Sequence, residues 1–305
     1  MQEKKKITNV SVRSFGKKGD IIASILVGIL AISSIFPFIF VIIISFTSET
    51  SLVVHGYSLI PKEWSLQGYK YLYDYREVIL RSLGVSVFVT VAGTFINTSF
   101  TSLYAYAISR PNFKFRKLFT VLLLITMLFS AGMVPNYIVV TQLLGLKDSI
   151  WALILPMARS PFNIIIMRTF YRKTVPEAII ESARIDGASE LRIFLQIVLP
   201  LAVPGIATIS LFTALGFWND WFNALLYINK ADLYPLQYLL MQIQSNLEYI
   251  SKNIGQISGL EAAQNLPKEA TRMAMVVLSV LPIAVTYPFF QKYFVSGLTI
   301  GGVKE

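Results

Sequence analysis

Residues 176–200 read PEAIIESARIDGASELRIFLQIVLP and carry the most informative pattern of this chain. This stretch is polar and amphipathic, yet it lies between two long apolar runs of the chain. Four acidic residues fall within it: Glu177, Glu181, Asp186 and Glu190. A helix that rested on an anionic lipid surface would instead be rich in lysine and arginine. The composition therefore favours a segment that docks onto a protein partner.

The same stretch predicts two short helices joined by a turn. Pro176 suits the opening of a helix, where its missing N–H is not needed, and Glu177 favours the positive end of the helix dipole. Gly187 permits the left-handed conformation of a sharp turn. Ser189 can then cap a second helix that continues into the next apolar run. We expect a helix–turn–helix unit over residues 174–200.

The composition of the whole chain indicates a membrane protein. Of its 305 residues 54% are hydrophobic and 14% are charged, and the mean hydropathy is +0.60. About a quarter of the residues of a soluble protein are charged. A helix needs about 20 mostly apolar residues to cross a bilayer. We predict an all-α, polytopic bundle of six transmembrane helices over residues 20–46, 80–108, 118–140, 149–170, 200–226 and 271–295.

Two of these predicted spans have unusual sequences. The third is interrupted by Ser130-Ala-Gly-Met-Val-Pro135, and irregular backbone at membrane depth must be covered by protein or line a cavity. The second is rich in serine, glycine and threonine, and it contains Asn97. Small residues let helices approach closely, so the second span is expected at the centre of the bundle. Asn97 either contacts a substrate or bonds a neighbouring helix.

The distribution of basic residues predicts the orientation. With the N-terminus inside, the inner segments hold 17 of the 27 lysines and arginines, and the outer segments hold nine. Basic residues accumulate in cytoplasmic loops. Both termini and residues 174–200 are therefore predicted to be cytoplasmic, in a multi-pass protein of the cell membrane, and residues 47–79 and 227–270 to lie outside. The net charge of +10 reflects this bias rather than binding of nucleic acid.

Several functional classes are disfavoured by what the sequence lacks. The chain has no cysteine and a single histidine, His55, which excludes thiolate or paired-histidine metal sites and histidine-dependent nucleophiles. No G-x-x-x-x-G-K-[ST] loop for ATP occurs, because Gly16-Lys17 is followed by Lys18. Acids are scarce in the predicted spans and no internal repeat is evident, which argues against a secondary transporter. We do not expect an enzyme.

The spacing of the residues between Glu181 and Pro200 resembles a known motif. Glu181-Ser182-Ala183 is followed after three residues by Gly187 and after nine more by Ile197-Val198-Leu199-Pro200. This resembles the EAA loop of importer-type ABC transporter permeases, E-A-A-x3-G-x9-I-x-L-P, with Ser182 as the one departure. The resemblance implies a coupling helix seated on an ATP-binding subunit, with roles for Glu177, Glu181, Ser182, Ala183, Asp186, Gly187, Ile197, Leu199 and Pro200.

The resemblance also implies partners. It makes residues 1–305 a single permease domain with residues 174–200 as its cytoplasmic coupling loop. Two separate ATP-binding subunits would carry ATP and magnesium, so no cofactor is expected on this chain. A second permease subunit, expected as a heterodimer partner, and an extracytoplasmic solute-binding protein complete the implied complex, which lies in the lipid bilayer.

Further motifs resemble one branch of that family. Trp218-Asn219-Asp220 and the tail from Phe294 to Lys304 look like the carbohydrate-uptake group that contains the maltose permeases. Arg272-Met273-Ala274 resembles the branch for oligosaccharides or polysaccharide fragments. The function implied is half of the translocation pathway for such a carbohydrate. The alternative is an importer permease for a non-sugar solute such as an amino acid or peptide.

The residues themselves offer candidates for contact with a sugar. Trp218, Asn219, Asp220 and Trp221 combine aromatic faces, which can cover the apolar face of a sugar ring, with groups that bond hydroxyls. Helical spacing places Trp218 and Trp221 on one face, with Asp220 turned away from it. The alternative is an interfacial aromatic belt. Arg159, inside the fourth span, could attract a uronate carboxylate, pair with Asp220 or extend towards the interface.

Overall fold

The computed structural model describes residues 16–252 and 267–302, and all regular secondary structure in them is helical, as predicted. The helices in chain order are α1 (Gly16–Ser45), α2 (Glu49–His55), α3 (Gln67–Asp74), α4 (Arg76–Ser109), α5 (Arg116–Leu128), α6 (Met133–Ile138), α7 (Trp151–Ile154), α8 (Pro161–Thr174), α9 (Glu177–Ile185), α10 (Glu190–Ile193), α11 (Leu199–Leu201), α12 (Val203–Trp218), α13 (Phe222–Tyr227), α14 (Leu236–Lys252) and α15 (Lys268–Gly302). The N-terminal basic cluster, part of the second outer segment, Lys304 and the side chains of the tail motif from Phe294 lie outside the described residues.

Three helices are long and apolar enough to cross a bilayer. Their spanning parts are Gly19–Ser45, Arg76–Ser109 and Lys268–Thr286. They correspond to the predicted first, second and sixth spans. The first is exposed along most of its length, which is expected of a helix that has no charged residue after Asp20 and faces lipid or a partner.

Two further crossings are bent. Helices α5 and α6, with the π-helical turn Val139–Leu143, meet at 115°, and the break coincides with the predicted interruption at Ser130–Pro135. The stretch Glu190–Leu201 meets α12 at 81°. Counting each bent pair as one span gives up to five among the described residues.

The predicted fourth span, 149–170, is not one helix. It consists of α7, an irregular segment and α8. The residue before a proline is driven out of the helical region, and Ser160, which precedes Pro161, has an extended backbone with φ −133° and ψ 98°. The Ser160 side chain caps α8 by accepting the N–H of Asn163 at 3.4 Å. Six spans are therefore not established by helix length alone.

Helix α4 lies at the centre of the bundle, as the small residues of the second span predicted. It packs against α8 on one side and α12 on the other. Gly93 allows the close approach of α12, because a Cβ at that position would lie 2.6 Å from the ring of Phe217. The buried face of α4 carries Ser82, Ser86, Asn97 and Thr101, so helix contacts in this core are partly polar.

The segments predicted to lie outside fold onto the start of α15. Glu49, in the first turn of α2, accepts the backbone N–H groups of Glu269 at 3.0 Å and Ala270 at 3.1 Å. Gly68 of α3 lies directly against the backbone of Ala270, where a Cβ would meet the carbonyl carbon at 2.7 Å. Helix α14 (Leu236–Lys252) lies within residues 227–270, the second segment predicted to lie outside.

Candidate functional site

The segment 174–200 forms the predicted helix–turn–helix. Helix α9 ends in a turn where Gly187 has φ +78°. The N–H of Gly187 donates to the carbonyl of Arg184 at 3.0 Å, and the N–H of Ala188 donates to that of Ala183 at 2.9 Å. These are the two bonds of a Schellman ending, which favours glycine at the left-handed position. Ser189 then caps α10 by accepting the N–H of Arg192 at 3.4 Å.

One face of this unit belongs to the protein core. Ile180 of α9 and Ile193 of α10 are fully buried, and they share a cluster with Tyr171, Met167 and other apolar residues. Each fully buried isoleucine contributes about 1.5–3 kcal/mol relative to an exposed one. The segment is therefore anchored to the membrane helices.

The opposite face of α9 is open. Glu181, Ser182 and Asp186 are exposed, and Ala183 is half-buried. Ile185 is 86% exposed, the largest exposed fraction given for a large hydrophobic side chain among the described residues. Glu181 forms no ion pair with any residue that the structure describes. An isoleucine beside unpaired acids on an anchored helix suits contact with a partner that offers apolar surface and basic residues.

Glu177 is directed away from that open face. Its carboxylate lies 3.1 Å from Nη1 of Arg110, just beyond the inner end of α4. Arg110 is only 4% exposed. Its guanidinium also lies over the ring of Tyr106 and donates to the hydroxyl of Ser109 at 3.0 Å. Glu177 therefore ties α9 to α4.

A second link involves Glu190. Its carboxylate accepts the hydroxyl of Tyr106 at 2.7 Å and Nε–H of Arg184 at 2.8 Å. These groups connect α4, α9 and α10. Sequence reasoning missed Arg110, Tyr106 and Arg184, because Tyr106 and Glu190 are 84 residues apart and no local periodicity relates them.

The end of the motif lies where the chain bends. Ile197 belongs to the π-helical turn Phe194–Val198, and Leu199 and Pro200 belong to α11. The second helix of the unit continues towards the fifth span, as predicted, but it bends before it enters that span. The chain turns by 81° before Val203, where a second proline, Pro204, opens α12.

A groove of about 1300 Å³ begins beside Leu199 and Pro200. It runs along one side of α4, and the other lining residues come from α10, the π-helical turn Phe194–Val198, α11, α12 and the middle of α15. Thr90, Thr94 and Thr98 recur every four residues on α4 and line it. The hydroxyl oxygens of Thr90 and Thr94 have no hydrogen-bond partner among the described residues.

The predicted sugar-contacting cluster does not lie on one helical face. Helix α12 ends at Trp218 and α13 begins at Phe222, so the spacing argument for Trp218 and Trp221 is wrong. Trp218 is buried at the edge of the groove, and its Nε1–H donates to the carbonyl of Ser279 at 3.1 Å. Trp221 is exposed and packs edge-to-face on Phe222.

The polar members of that cluster bond locally. Asn219 is exposed, and its amide donates to the carbonyl of Leu215 at 2.9 Å. Asp220 accepts the side-chain amide of Asn223 at 2.8 Å and the backbone N–H of Asn223 at 3.2 Å. The carboxylate therefore caps the start of α13.

The remaining two candidates lie apart from the groove. Asn97 is 2% exposed, and it donates to the carbonyl of Met157 at 2.8 Å and accepts from Thr213 at 3.3 Å. It bonds neighbouring elements, which is one of the two expected roles. Arg159 lines a separate cavity of about 400 Å³. Among the residues described, no three histidine, aspartate or glutamate side chains are placed to hold a metal ion.

Comparison with known proteins decides the class of this molecule. The pattern of the family described as "Binding-protein-dependent transport system inner membrane component" matches residues 103–300. The chain belongs to this family. It is therefore a transport subunit of an inner membrane rather than an enzyme, and the apolar helices agree with a multi-pass protein.

Individual relatives span nearly the whole chain. Protein LplC of Bacillus subtilis (strain 168) is 42% identical over 291 residues, which are 95% of this chain and 96% of that protein. The polygalacturonan/rhamnogalacturonan transport system permease protein YtcP of the same organism is 42% identical over 275 residues, 90% of this chain and 94% of that protein. The crystal structure of a bacterial ABC transporter involved in the import of the acidic polysaccharide alginate superposes with a TM-score of 0.76 at 30% identity, covering 90% of this chain and 96% of that one.

Proposed function

We propose that the chain is a permease subunit of an ATP-driven importer and forms half of the translocation pathway for an oligosaccharide or polysaccharide fragment. The observation that carries this proposal is the anchored α9 with its open face, in a chain of this family. The named substrates of its relatives, among them polygalacturonan and arabinooligosaccharides, are sugars. They favour a carbohydrate over an amino acid or peptide.

In the proposed topology the chain crosses the membrane six times, with both termini in the cytoplasm. Three long helices and two bent pairs account for five crossings. Helices α7 and α8 together supply the remaining one. The basic residues of the inner segments support this orientation.

The open face of α9 is the proposed docking surface for the ATP-binding subunit. Glu181 and Asp186 would meet basic residues of that subunit, and Ile185 would enter an apolar recess. Glu177, on the opposite side of α9 from this docking surface, would hold α9 to Arg110. The shape of the exposed surface depends on Ser182, Ala183 and Gly187. The surface is connected to the bundle by Ile197, Leu199 and Pro200. Two such subunits would bind ATP and magnesium.

The other surfaces suit the remaining partners. The lining of the groove along α4 is mostly apolar, which fits a face completed by the second permease subunit. Trp218 and the threonines would then border the path between the two subunits. The outer extensions around α2, α3 and α14 would receive the solute-binding protein, because they lie opposite α9 along the proposed membrane axis.

The test is transport by the assembled complex in liposomes with a panel of labelled oligosaccharides and peptides. Uptake of a sugar but of no peptide supports the proposal, and uptake of peptides alone contradicts it. Within this assay Glu181→Lys should lower ATP-driven uptake at least about tenfold, because like charges opposed at an interface cost several kcal/mol. Asp20→Lys, an equal charge reversal at an exposed position near the inner end of α1, is the matched control.

A further inference from the structure

Arg159 carries a positive charge that no described acid neutralises. It does not take part in any of the ion pairs formed among the described residues, and its side chain is exposed. Asp220 was the partner considered from the sequence. Its carboxylate instead accepts two hydrogen bonds from Asn223. The Arg159 guanidinium is thus available to a group that this chain does not supply.

The position of Arg159 makes an uncompensated charge costly. Asn97 bonds the carbonyl of Met157, and Asn97 is twelve residues from the inner end of α4, or about 18 Å at 1.5 Å per residue. The hydrocarbon core of a bilayer is about 30 Å thick. Arg159, two residues beyond Met157, therefore lies well inside the membrane in the proposed topology. A charge at this depth faces a water-filled cavity or a partner and is a candidate functional site.

Arg159 does face a cavity. Its volume is about 400 Å³, towards the lower end of the range for ligand pockets, about 300–1,000 Å³. Asn136 and Asn223 supply carboxamides to its wall, and Phe222 and Tyr227 supply aromatic rings. The Asn136 side chain is exposed and forms no hydrogen bond with any described residue. One cation, amides and aromatic rings together are the chemistry that recognises a sugar ring bearing a carboxylate.

We propose that this cavity, which is separate from the groove along α4, is an additional contact of the transported oligosaccharide and binds one of its uronate residues. The guanidinium of Arg159 binds the carboxylate, Asn136 bonds ring hydroxyls, and the aromatic rings cover an apolar face of the sugar. The inference rests on the proposed function and deepens it, because it names an acidic oligosaccharide as the substrate class.

The experiment compares two labelled probes of equal length in the liposome assay, a trigalacturonate and its fully methyl-esterified form. They differ in the carboxylate charge and the methyl groups. Arg159→Gln should lower the ratio of acidic to esterified uptake about tenfold or more, as expected from the loss of a charged hydrogen bond. Arg159→Lys should give an intermediate ratio, because it keeps the charge but lacks the planar fork.

A variant at a second position separates substrate binding from a purely structural effect of Arg159. Asn136→Asp puts a negative charge on the wall of the same cavity without removing a contact within the described residues, and it should lower the same ratio. Equal loss of both probes in these variants would mean that Arg159 pairs with the second permease subunit, and it would overturn the inference. An unchanged ratio would overturn it as well.

Failure of the inference is distinguishable from failure of the proposed function. If the unaltered complex imports the esterified probe but not the acidic one, the permease function stands and the uronate subsite is wrong. If it imports neither sugar but imports peptides, the proposed function is wrong and the inference falls with it.

Discussion

The guanidinium of Arg110 lies 3.1 Å from the carboxylate of Glu177, and this pair joins the inner end of the central helix α4 to the first turn of α9. The two partners differ in their surroundings. The Arg110 side chain is 5% exposed, whereas that of Glu177 is 41% exposed. Movement of the proposed docking segment is thereby connected to the helix that lines the groove.

The first prediction follows from this asymmetry. Glu177→Ala leaves a buried cation without its acid and should lower the stability of the complex by about 2 kcal/mol, after discounting the exposure of Glu177. Arg110→Met leaves a carboxylate that water can reach and should cost about 1 kcal/mol. Thermal unfolding of the detergent-solubilised complex measures both. The double variant should lose less stability than the two single variants added together. Strict additivity of the losses would show that the interaction between Arg110 and Glu177 contributes nothing.

The second prediction concerns the turn between α9 and α10, in the predicted coupling loop of residues 174–200. Gly187 has φ +78°, and no atom lies within 4 Å of a Cβ built there, so only the backbone conformation disfavours a side chain. Gly187→Ala should cost about 1 kcal/mol and reduce sugar-stimulated ATP hydrolysis. Asn tolerates this conformation better than Ala. Gly187→Asn is therefore the matched variant, and equal effects of the two would contradict the role of backbone strain.

The third prediction tests the contact between α4 and α12. A Cβ at Gly93 would lie 2.6 Å from the buried ring of Phe217, so Gly93→Ala should cost about 1–3 kcal/mol by overpacking. Gly84 lies on the same helix with nothing within 4 Å of its Cβ position. Gly84→Ala should not destabilise the protein. Adding Phe217→Leu should recover part of the stability lost by Gly93→Ala, and no recovery would argue against the clash.

The fourth prediction is a pH dependence in the connection between the predicted third and fourth spans. Asp148 has a left-handed backbone with φ 58°, and its carboxylate accepts the backbone N–H groups of Asn229 and Lys230. These bonds hold the pKa of Asp148 below its ordinary value of 3.8. The stabilisation is therefore complete at neutral pH and is lost as the pH falls through the lowered pKa.

Hydrogen exchange of the amides of Asn229 and Lys230, relative to amides of α4, should report this loss. Relative protection should be constant between about pH 7 and pH 5 and should fall below pH 3.8. Asp148→Asn keeps a residue that tolerates the left-handed conformation but has no charge to lose, so its relative protection should not change with pH. Equal pH profiles for the two proteins would refute the assignment.

Local signals in the sequence were sufficient for part of this structure. Gly187 and Ser189 predicted the turn and the second cap of the docking segment because each acts within a few residues of itself. The prediction from helical periodicity was wrong where a helix ends, as between Trp218 and Trp221. Residues three apart share a face only if the helix continues between them. Arg110 and Glu177 could not be paired from the sequence, because tertiary packing alone brings them together.

The bond from Glu49 to the start of α15 has a consequence for how the protein is made. The acceptor is synthesised early, whereas Glu269 and Ala270, whose N–H groups it receives, emerge from the ribosome some 220 residues later. The close contact between Gly68 and the backbone of Ala270 likewise cannot form before Ala270 is synthesised. Helices α2 and α3 therefore cannot complete their packing until α15 has been synthesised and inserted. In a nascent chain arrested before residue 268, α2 and α3 should be accessible to proteases. Completion of α15 should protect them.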